Sequence, residues 1–137
     1  MRQLAFNVAI AGTDFHSKNV SLIEGEHSVR LAPAYDVASY AQYVGIDDVE
    51  RFSVLRSSMS IGGEWEFVRI HEPQWIRFAR GAELDENTVL SIVEHIDDAT
   101  PEAIAQAAQA FPQFASSSVI TTLPDRVRAF RDVRHKH

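Results

Sequence analysis

A short polar stretch near the start of the chain combines side chains that could perform chemistry. Residues 12–19 read Gly-Thr-Asp-Phe-His-Ser-Lys-Asn, so that a carboxylate, an imidazole, an ammonium and a carboxamide occur within six positions. A helix can end at a turn with far fewer polar groups than this. The stretch therefore predicts a chemical site, which the elements around it must hold in place.

Two further ligand-type residues follow Asp14. Asn19 lies five positions later, and Asp36 lies just beyond a predicted β-hairpin. Phosphoryl transfer in protein-kinase-like enzymes uses three groups in this order: a carboxylate that accepts or orients the proton of the attacking hydroxyl, then a carboxamide and a second acid that bind magnesium. Mg²⁺ prefers such oxygen ligands. Lys18 could neutralise charge that develops on the transferred phosphoryl group.

Each of these residues also has an ordinary structural explanation. Asp and Asn at turns often accept backbone N–H bonds, and Asp36 could cap a helix after the preceding Pro-Ala-Tyr bend. For any one residue taken alone, including His16, the structural explanation is the better one. The three ligand-type residues together, in kinase order and spacing, favour the functional interpretation.

The rest of the chain predicts a mainly α-helical α+β domain. Residues 3–11 predict a buried helix that ends at Gly12, and residues 20–23 and 28–31 predict two strands joined by a glycine-containing loop. Residues 57–61 lead into a predicted turn at Gly62-Gly63. Less clearly, residues 52–55 could be extended. Further helices are predicted over residues 73–81, from Asp85 or Asn87 through Ile96, from Pro101 to Ala110, and from near Pro124 onward.

Composition indicates one soluble domain. The chain has 137 residues, of which 45% are hydrophobic, enough for one core. A net charge of -6 argues against chain-wide attraction to nucleic acid or to an anionic membrane. The absence of cysteine excludes disulfides and thiolate zinc sites, and no apolar run approaches the roughly 20 residues of a membrane span. We expect a cytoplasmic protein without a membrane partner, for which direct nucleic-acid binding is disfavoured.

Charge is segregated in the second half of the chain. No Lys or Arg occurs from residue 81 to residue 124, whereas seven acidic residues do, and five basic residues follow between residues 126 and 136. The simpler interpretation is a pair of solvated helix faces that lie opposite each other. Docking onto an acidic partner is the alternative.

Residues 13–19 and 31–37 together resemble the C-terminal region of HipA-like serine/threonine kinases, the toxins of bacterial type II toxin–antitoxin pairs. The family pattern T-D-x-H-x-K-N, then L-x-P-x-Y-D-[VIL], is matched by Thr-Asp-Phe-His-Ser-Lys-Asn and Leu-Ala-Pro-Ala-Tyr-Asp-Val. Residues 58–63 also resemble the segment that follows in many members. Phe15 departs from the small or acidic residue of many relatives, which could alter packing of the loop.

The resemblance implies a role for the residues of both motifs. Asp14 would be the catalytic base, and Asn19 and Asp36 would be the magnesium ligands. The cofactors of the complete kinase would be ATP and Mg²⁺, and whether this chain alone binds either is open. The residues implied to approach the nucleotide are His16, Lys18, Asn19, Tyr35 and Asp36.

The resemblance further implies the helical C-terminal lobe of a protein-kinase-like fold, with a short β-hairpin beside the catalytic loop, as a single domain over residues 1–137. The N-terminal lobe of such kinases holds a glycine-rich phosphate loop and a lysine that pairs with the α- and β-phosphates. The sequence contains neither, and its first apolar helix has no N-cap residue. We therefore expect that the N-terminal lobe is absent.

Three functions remain open. The first is a growth-inhibiting kinase that moves the γ-phosphoryl of ATP to a protein serine or threonine; this chain alone would have little or no activity, because half of the nucleotide clamp is missing. The second is a non-enzymatic module that binds an antitoxin or a separate N-terminal lobe. The third, a metal-dependent hydrolase using Asp14, His16 and Asp36, needs another histidine or acid. Partners implied by the resemblance are a HipB-like DNA-binding antitoxin and a protein substrate such as an aminoacyl-tRNA synthetase.

Overall fold

The computed structural model describes residues 1–45, 47–113 and 117–136. This part of the chain contains five α-helices and two short β-hairpins, so the predicted mainly helical α+β class is confirmed. The helices are α1 (Arg2–Ala9), α2 (Val49–Ser53), α3 (Glu72–Gly81), α4 (Glu86–Ala110) and α5 (Ser118–Lys136). The strands are β1 (Leu22–Glu24), β2 (Val29–Leu31), β3 (Arg56–Ile61) and β4 (Glu64–Glu66), which form two antiparallel pairs, β1 with β2 and β3 with β4.

The core lies where α5 meets the short elements in the middle of the chain. Helices α1, α3 and α5 all pack against the long helix α4. The Phe130 ring of α5 contacts Phe52 at 5.5 Å and Phe67 at 5.7 Å between centroids, and all three side chains are fully buried. This aromatic cluster joins α5 to α2 and to the 3₁₀ turn at Phe67–Arg69. No helix in the described ranges is both long and apolar enough to cross a membrane.

The predicted α1, first hairpin and α3 are confirmed. In the hairpin, Leu22 lies opposite Leu31. Helix α3 begins where the Gln74 side chain accepts the backbone N–H of His71 at 3.1 Å, with proline in the first turn. Helix α4 begins where the Asp85 carboxylate accepts the Thr88 N–H at 2.8 Å. Hydrogen bonds from the Thr88 hydroxyl and N–H lower the pKa of Asp85.

Three predicted boundaries are wrong. Pro101 does not begin a helix, because α4 continues through it without a break. Proline removes one backbone hydrogen bond, but three helices packed against α4 hold it as one element. Helix α5 begins at Ser118 rather than near Pro124. Residues 52–53 are helical rather than extended, because the Asp48 carboxylate accepts the Arg51 N–H at 3.1 Å and begins α2.

The predicted Gly62-Gly63 turn is confirmed, although the strand after it was not predicted. Both glycines have positive φ, 56° and 88°. A Cβ at Gly62 would lie 2.2 Å from the carbonyl oxygen of Gln74, so only glycine fits between the turn and α3. The turn therefore fixes the second hairpin against α3.

The segregated charges do face each other, but their centre is not solvated. On α4, Asp97 forms ion pairs with Arg131 and Arg134 of α5 and lies 2.9 Å from Nε2 of His135, and Asp98 pairs with Arg131. The Arg134 and Asp97 side chains are only 6% and 12% exposed. Burial lowers the pKa of Arg134, and the attraction of Asp97 opposes that shift. The prediction of two solvated helix faces is therefore right that the acidic and basic faces lie opposite each other. It is wrong about solvation, because the Arg134–Asp97 pair between them is mostly buried.

Replacing Phe130 should remove the contact that joins α5 to α2. We expect Phe130→Ala to lower the free energy of unfolding by about 3–5 kcal/mol, because it leaves a cavity between two aromatic rings. Urea denaturation followed by circular dichroism measures this. Phe111→Ala, the same change at an exposed ring, should change stability by less than about 1 kcal/mol; equal losses in both variants would contradict the assignment of the core.

Candidate functional site

The turn that leads into Asp14 requires glycine. Ala11 has φ 54°, and the Gly12 N–H donates to the Asn7 carbonyl at 2.7 Å, which reverses the chain at the end of α1. A Cβ at Gly12 would lie 2.4 Å from Oδ1 of Asn7. Asn7 is buried and its Nδ2 donates to the Gln3 carbonyl at 2.9 Å, so it cannot easily move aside.

Asp14 itself is exposed, and no described residue forms a hydrogen bond with its carboxylate. The loop beside it is held from two directions. The Phe15 side chain packs against the core, and the Ser58 hydroxyl of β3 donates to the Phe15 carbonyl. The departure at Phe15 thus has a packing role, and the carboxylate next to it is left accessible to a hydroxyl group.

The structure brings Asn19 and Asp36 together. The buried Asn19 accepts the His16 backbone N–H at Oδ1 and donates from Nδ2 to Oδ2 of Asp36, both at 2.9 Å. Because a backbone N–H can only donate, the first bond fixes which end of the carboxamide is the oxygen. Nδ1 of the half-buried His16 ring is enclosed and has no partner in the described part of the chain.

Asp36 is exposed and has a strained backbone. Its φ is 55°, in the left-handed region, which Asp tolerates better than most residues. Strain of this kind clusters at functional sites, where neighbouring contacts maintain it. Here those contacts run to the end of α1: the Ser39 hydroxyl donates to the Ile10 carbonyl at 2.5 Å, and the Tyr40 N–H donates to the Ala11 carbonyl at 3.0 Å.

Tyr35 and Lys18 are linked through the backbone. The Tyr35 hydroxyl donates to the Lys18 carbonyl at 2.7 Å, and its oxygen lies 2.8 Å from Oγ of Ser21. Since the phenol has a single proton, Ser21 is the donor in the second bond. The Lys18 side chain is exposed and forms no ion pair with a described residue. Sequence reasoning missed Ser21, Ser39 and Ser58, because a single serine in a loop or a short strand carries no specific signal.

Asn19 and Asp36 could hold a hard cation. Oδ1 of Asn19 keeps one lone pair beyond its bond to His16, and no described residue donates to Oδ1 of Asp36. A carboxamide oxygen and a carboxylate oxygen are both ligands that suit Mg²⁺, which keeps several waters and takes one or two carboxylates; in this structure Nδ2 of Asn19, rather than its oxygen, is the atom next to Asp36. In the described ranges, no group of three or more His, Cys, Asp or Glu side chains could hold a metal ion, so the extra ligand that a hydrolase needs is not found there.

Comparison with known proteins decides the family. The model of the HipA-like C-terminal domain matches residues 1–104, a range that contains both motifs. The chain belongs to this family. It is 26% identical over 101 residues to the protein named "Putative kinase Y4mE" from Sinorhizobium fredii, and the match covers 74% of this chain and 22% of that protein.

Comparison with solved structures supports the fold of this HipA-family chain. It matches a chain from the complex of HipA, HipB and operator DNA of the Shewanella oneidensis MR-1 toxin–antitoxin system. The TM-score is 0.72 at 24% identity, over 96% of this chain and 30% of that one. The chain therefore spans less than a third of the length of each of these two relatives.

Alanine at Gly12 should disturb the turn through its contacts with Asn7, of which the one to the side-chain oxygen is the shortest. We expect Gly12→Ala to lower the free energy of unfolding by about 1–3 kcal/mol, because its Cβ would clash with Asn7. The loss should be smaller in an Asn7→Ala background, as a double-mutant cycle in urea denaturation would measure. Gly81→Ala, where a Cβ meets nothing within 4 Å, is the control. An equal cost of Gly12→Ala in both backgrounds would rule out the clash.

Proposed function

We propose that this chain carries the catalytic loop and the metal-binding acid of a HipA-like kinase, whose reaction moves the γ-phosphoryl of ATP to a serine or threonine of a protein. Family membership supports the reaction class. The observation that carries the proposal is the contact between Asn19 and Asp36, residues 17 positions apart that kinase chemistry requires to be neighbours.

Each residue of the two motifs has a task that its surroundings permit. The exposed Asp14 accepts the proton of the substrate hydroxyl as that oxygen attacks the γ-phosphorus. Asn19 and Asp36 are the ligands for Mg²⁺, which when bound neutralises charge on the nucleotide phosphates. The exposed Lys18 is in the same loop, and its ammonium would neutralise negative charge that develops on the transferred phosphoryl group. His16 and Tyr35 are the further residues that would approach the nucleotide. The Tyr35 hydroxyl also donates a hydrogen bond to the Lys18 carbonyl.

The proposal requires a second lobe. Positioning of the nucleotide supplies most of the catalysis in phosphoryl transfer, and this sequence contains no glycine-rich phosphate loop. The Shewanella complex contains HipB and operator DNA, which supports a HipB-like antitoxin as a partner. By resemblance, the target is a cytoplasmic protein such as an aminoacyl-tRNA synthetase.

The 137-residue chain alone should show little or no phosphoryl transfer. Together with a polypeptide that supplies the N-terminal lobe, we expect Mg²⁺-dependent transfer of label from [γ-³²P]ATP to protein serine or threonine. In that mixture, Asp14→Asn should lower the rate at least about 100-fold, because it removes the general base. Asp47→Asn, in the exposed loop before α2, should keep the rate.

Two outcomes would contradict this proposal. Robust transfer by the chain alone, abolished by Asp14→Asn, would show that no second lobe is needed. Transfer in the mixture that survives both Asp14→Asn and Asp36→Asn would show that the catalytic group lies elsewhere.

A non-enzymatic interaction module is the second candidate, and the first hairpin favours it. Every residue of β1 and β2 is exposed, and the facing leucines Leu22 and Leu31 are 67% and 52% exposed. An isolated two-stranded hairpin is marginally stable, and exposed apolar patches of this kind mark interaction sites. Both leucines border an apolar cavity of about 500 Å³, also lined by Met1, Leu4, Phe15, Val20, Met59 and Phe78.

Polar substitutions on this hairpin should separate binding from folding. We expect Leu22→Thr combined with Leu31→Thr to weaken binding of the N-terminal lobe at least about tenfold in a calorimetric titration, because it removes apolar area from the contact. Thermal unfolding of the chain should be nearly unchanged, since both side chains are already exposed. Val54→Thr, at a site 65% exposed outside the hairpin, is the matched control. Unchanged affinity of the double variant would exclude the hairpin as the binding surface.

A further inference from the structure

A second cavity lies between the beginning of α3, the middle of α4 and the end of α5. Its volume is about 420 Å³, within the range of small-molecule sites. It shares no residue with the loop that holds Asp14, Asn19 and Asp36. The residues that line it are Ile70, His71, Glu72, Trp75, Leu90, Val93, Glu94, Asp97, Arg134 and His135.

Arg134 gives this cavity a cationic end that is not satisfied within the described chain. Its guanidinium is buried and has one hydrogen-bond acceptor among the described residues, the Asp97 carboxylate. Nε is enclosed and has no partner there. Arginine presents a planar fork of N–H donors that matches a carboxylate. Nε is closed off from the cavity, so a second anionic partner can bind only to the terminal Nη groups, of which Nη2 donates to Asp97.

The rim of the cavity has the opposite sign. Glu72 and Glu94 are exposed, and neither forms an ion pair with a described residue. Asp97 differs from them, because Arg131, Arg134 and His135 surround it. Two free carboxylates would repel a phosphate dianion but would attract an ammonium group. This arrangement of charges therefore disfavours a nucleotide and favours a ligand that carries one negative and one positive charge.

The wall between the two charged ends is apolar. Ile70 and Trp75 are buried, and Leu90 and Val93 of α4 are half-buried. An aliphatic or aromatic group placed against these side chains would have its apolar surface removed from water, which favours binding. The cavity thus combines an anion-binding end, a cation-binding rim and an apolar wall in a volume of about 420 Å³.

We propose that this cavity binds a small zwitterion, a free α-amino acid with an apolar side chain. The carboxylate takes N–H donors of the terminal Arg134 Nη groups that Asp97 leaves unused, the ammonium lies beside Glu72 and Glu94, and the side chain packs against Leu90 and Val93, next to Trp75. Arg134 lies outside the range that the family model matches. The cavity is also separate from the proposed phosphoryl-transfer site, so this proposal does not depend on that one.

Trp75 provides a direct probe of the cavity. The chain has two tryptophans, so in a Trp65→Phe background the fluorescence reports on Trp75 alone. Titration of the 137-residue chain with L-leucine should give a saturable change. The same titration with 3-methylbutylamine, which lacks the carboxylate, and with 4-methylpentanoate, which lacks the ammonium, should give affinities at least about tenfold weaker.

Variants at the two ends complete the test. Glu94→Gln should weaken binding of L-leucine about tenfold and leave binding of 4-methylpentanoate unchanged, because only the ammonium contact is lost. Glu26→Gln, in the exposed loop of the first hairpin, should have no effect. Arg134→Lys should weaken both carboxylate ligands; circular dichroism checks that it folds, and Glu94→Gln decides the question if it does not. No saturable change at millimolar leucine, equal affinities for the three ligands, or no effect of Glu94→Gln would each overturn the proposal.

Discussion

The arrangement of the candidate site depends on the bonds between the end of α1 and the segment after Asp36. The carbonyls of Ile10 and Ala11 have left the helical ladder and accept from Ser39 and Tyr40 instead. Helix ends leave such carbonyls without partners, and here the chain supplies them from the far side of the first hairpin. The loop of Asp14 and the loop of Asp36 are thereby fixed to one helix, and the bond from Asn19 to Asp36 joins them directly.

A second constraint acts where α4 meets α5. The Arg134–Asp97 pair is nearly withdrawn from water. Such a pair adds little stability compared with apolar side chains of equal volume, but loss of one partner costs about 3–5 kcal/mol because it strands a buried charge. The Arg134 guanidinium also lies 5.2 Å from the centre of the Phe130 ring. The pair therefore fixes the position of α5 on α4, and with it the aromatic core.

Local sequence signals correctly predicted the elements whose ends are marked by a residue with a strong backbone preference, such as proline or glycine. Helix α3 has proline in its first turn, and Gly62-Gly63 reverses the chain with positive φ at both residues and no room for a Cβ at Gly62. The predictions failed where a local signal has two meanings. Thr100-Pro101 resembles a helix start, yet these residues lie inside α4. The packing of α1, α3 and α5 against α4 stabilises it more than the backbone hydrogen bond missing at Pro101 destabilises it. Strand β4 is a Glu-Trp-Glu segment, too short and too polar to be recognised without its partner β3.

The contact between Asn19 and Asp36 was more predictable than the fold around it, because both residues belong to motifs whose order implies that they meet. The order of Asp14, Asn19 and Asp36 implied that the last two meet across a hairpin, and they do. The roles of the Ser21, Ser39 and Ser58 hydroxyls could not be predicted from the sequence, because each bonds to a partner far away along the chain. The motif identifies which groups meet, whereas these long-range bonds set how firmly they are held. The proposed phosphoryl transfer would depend on both, since positioning supplies most of the catalysis in this reaction.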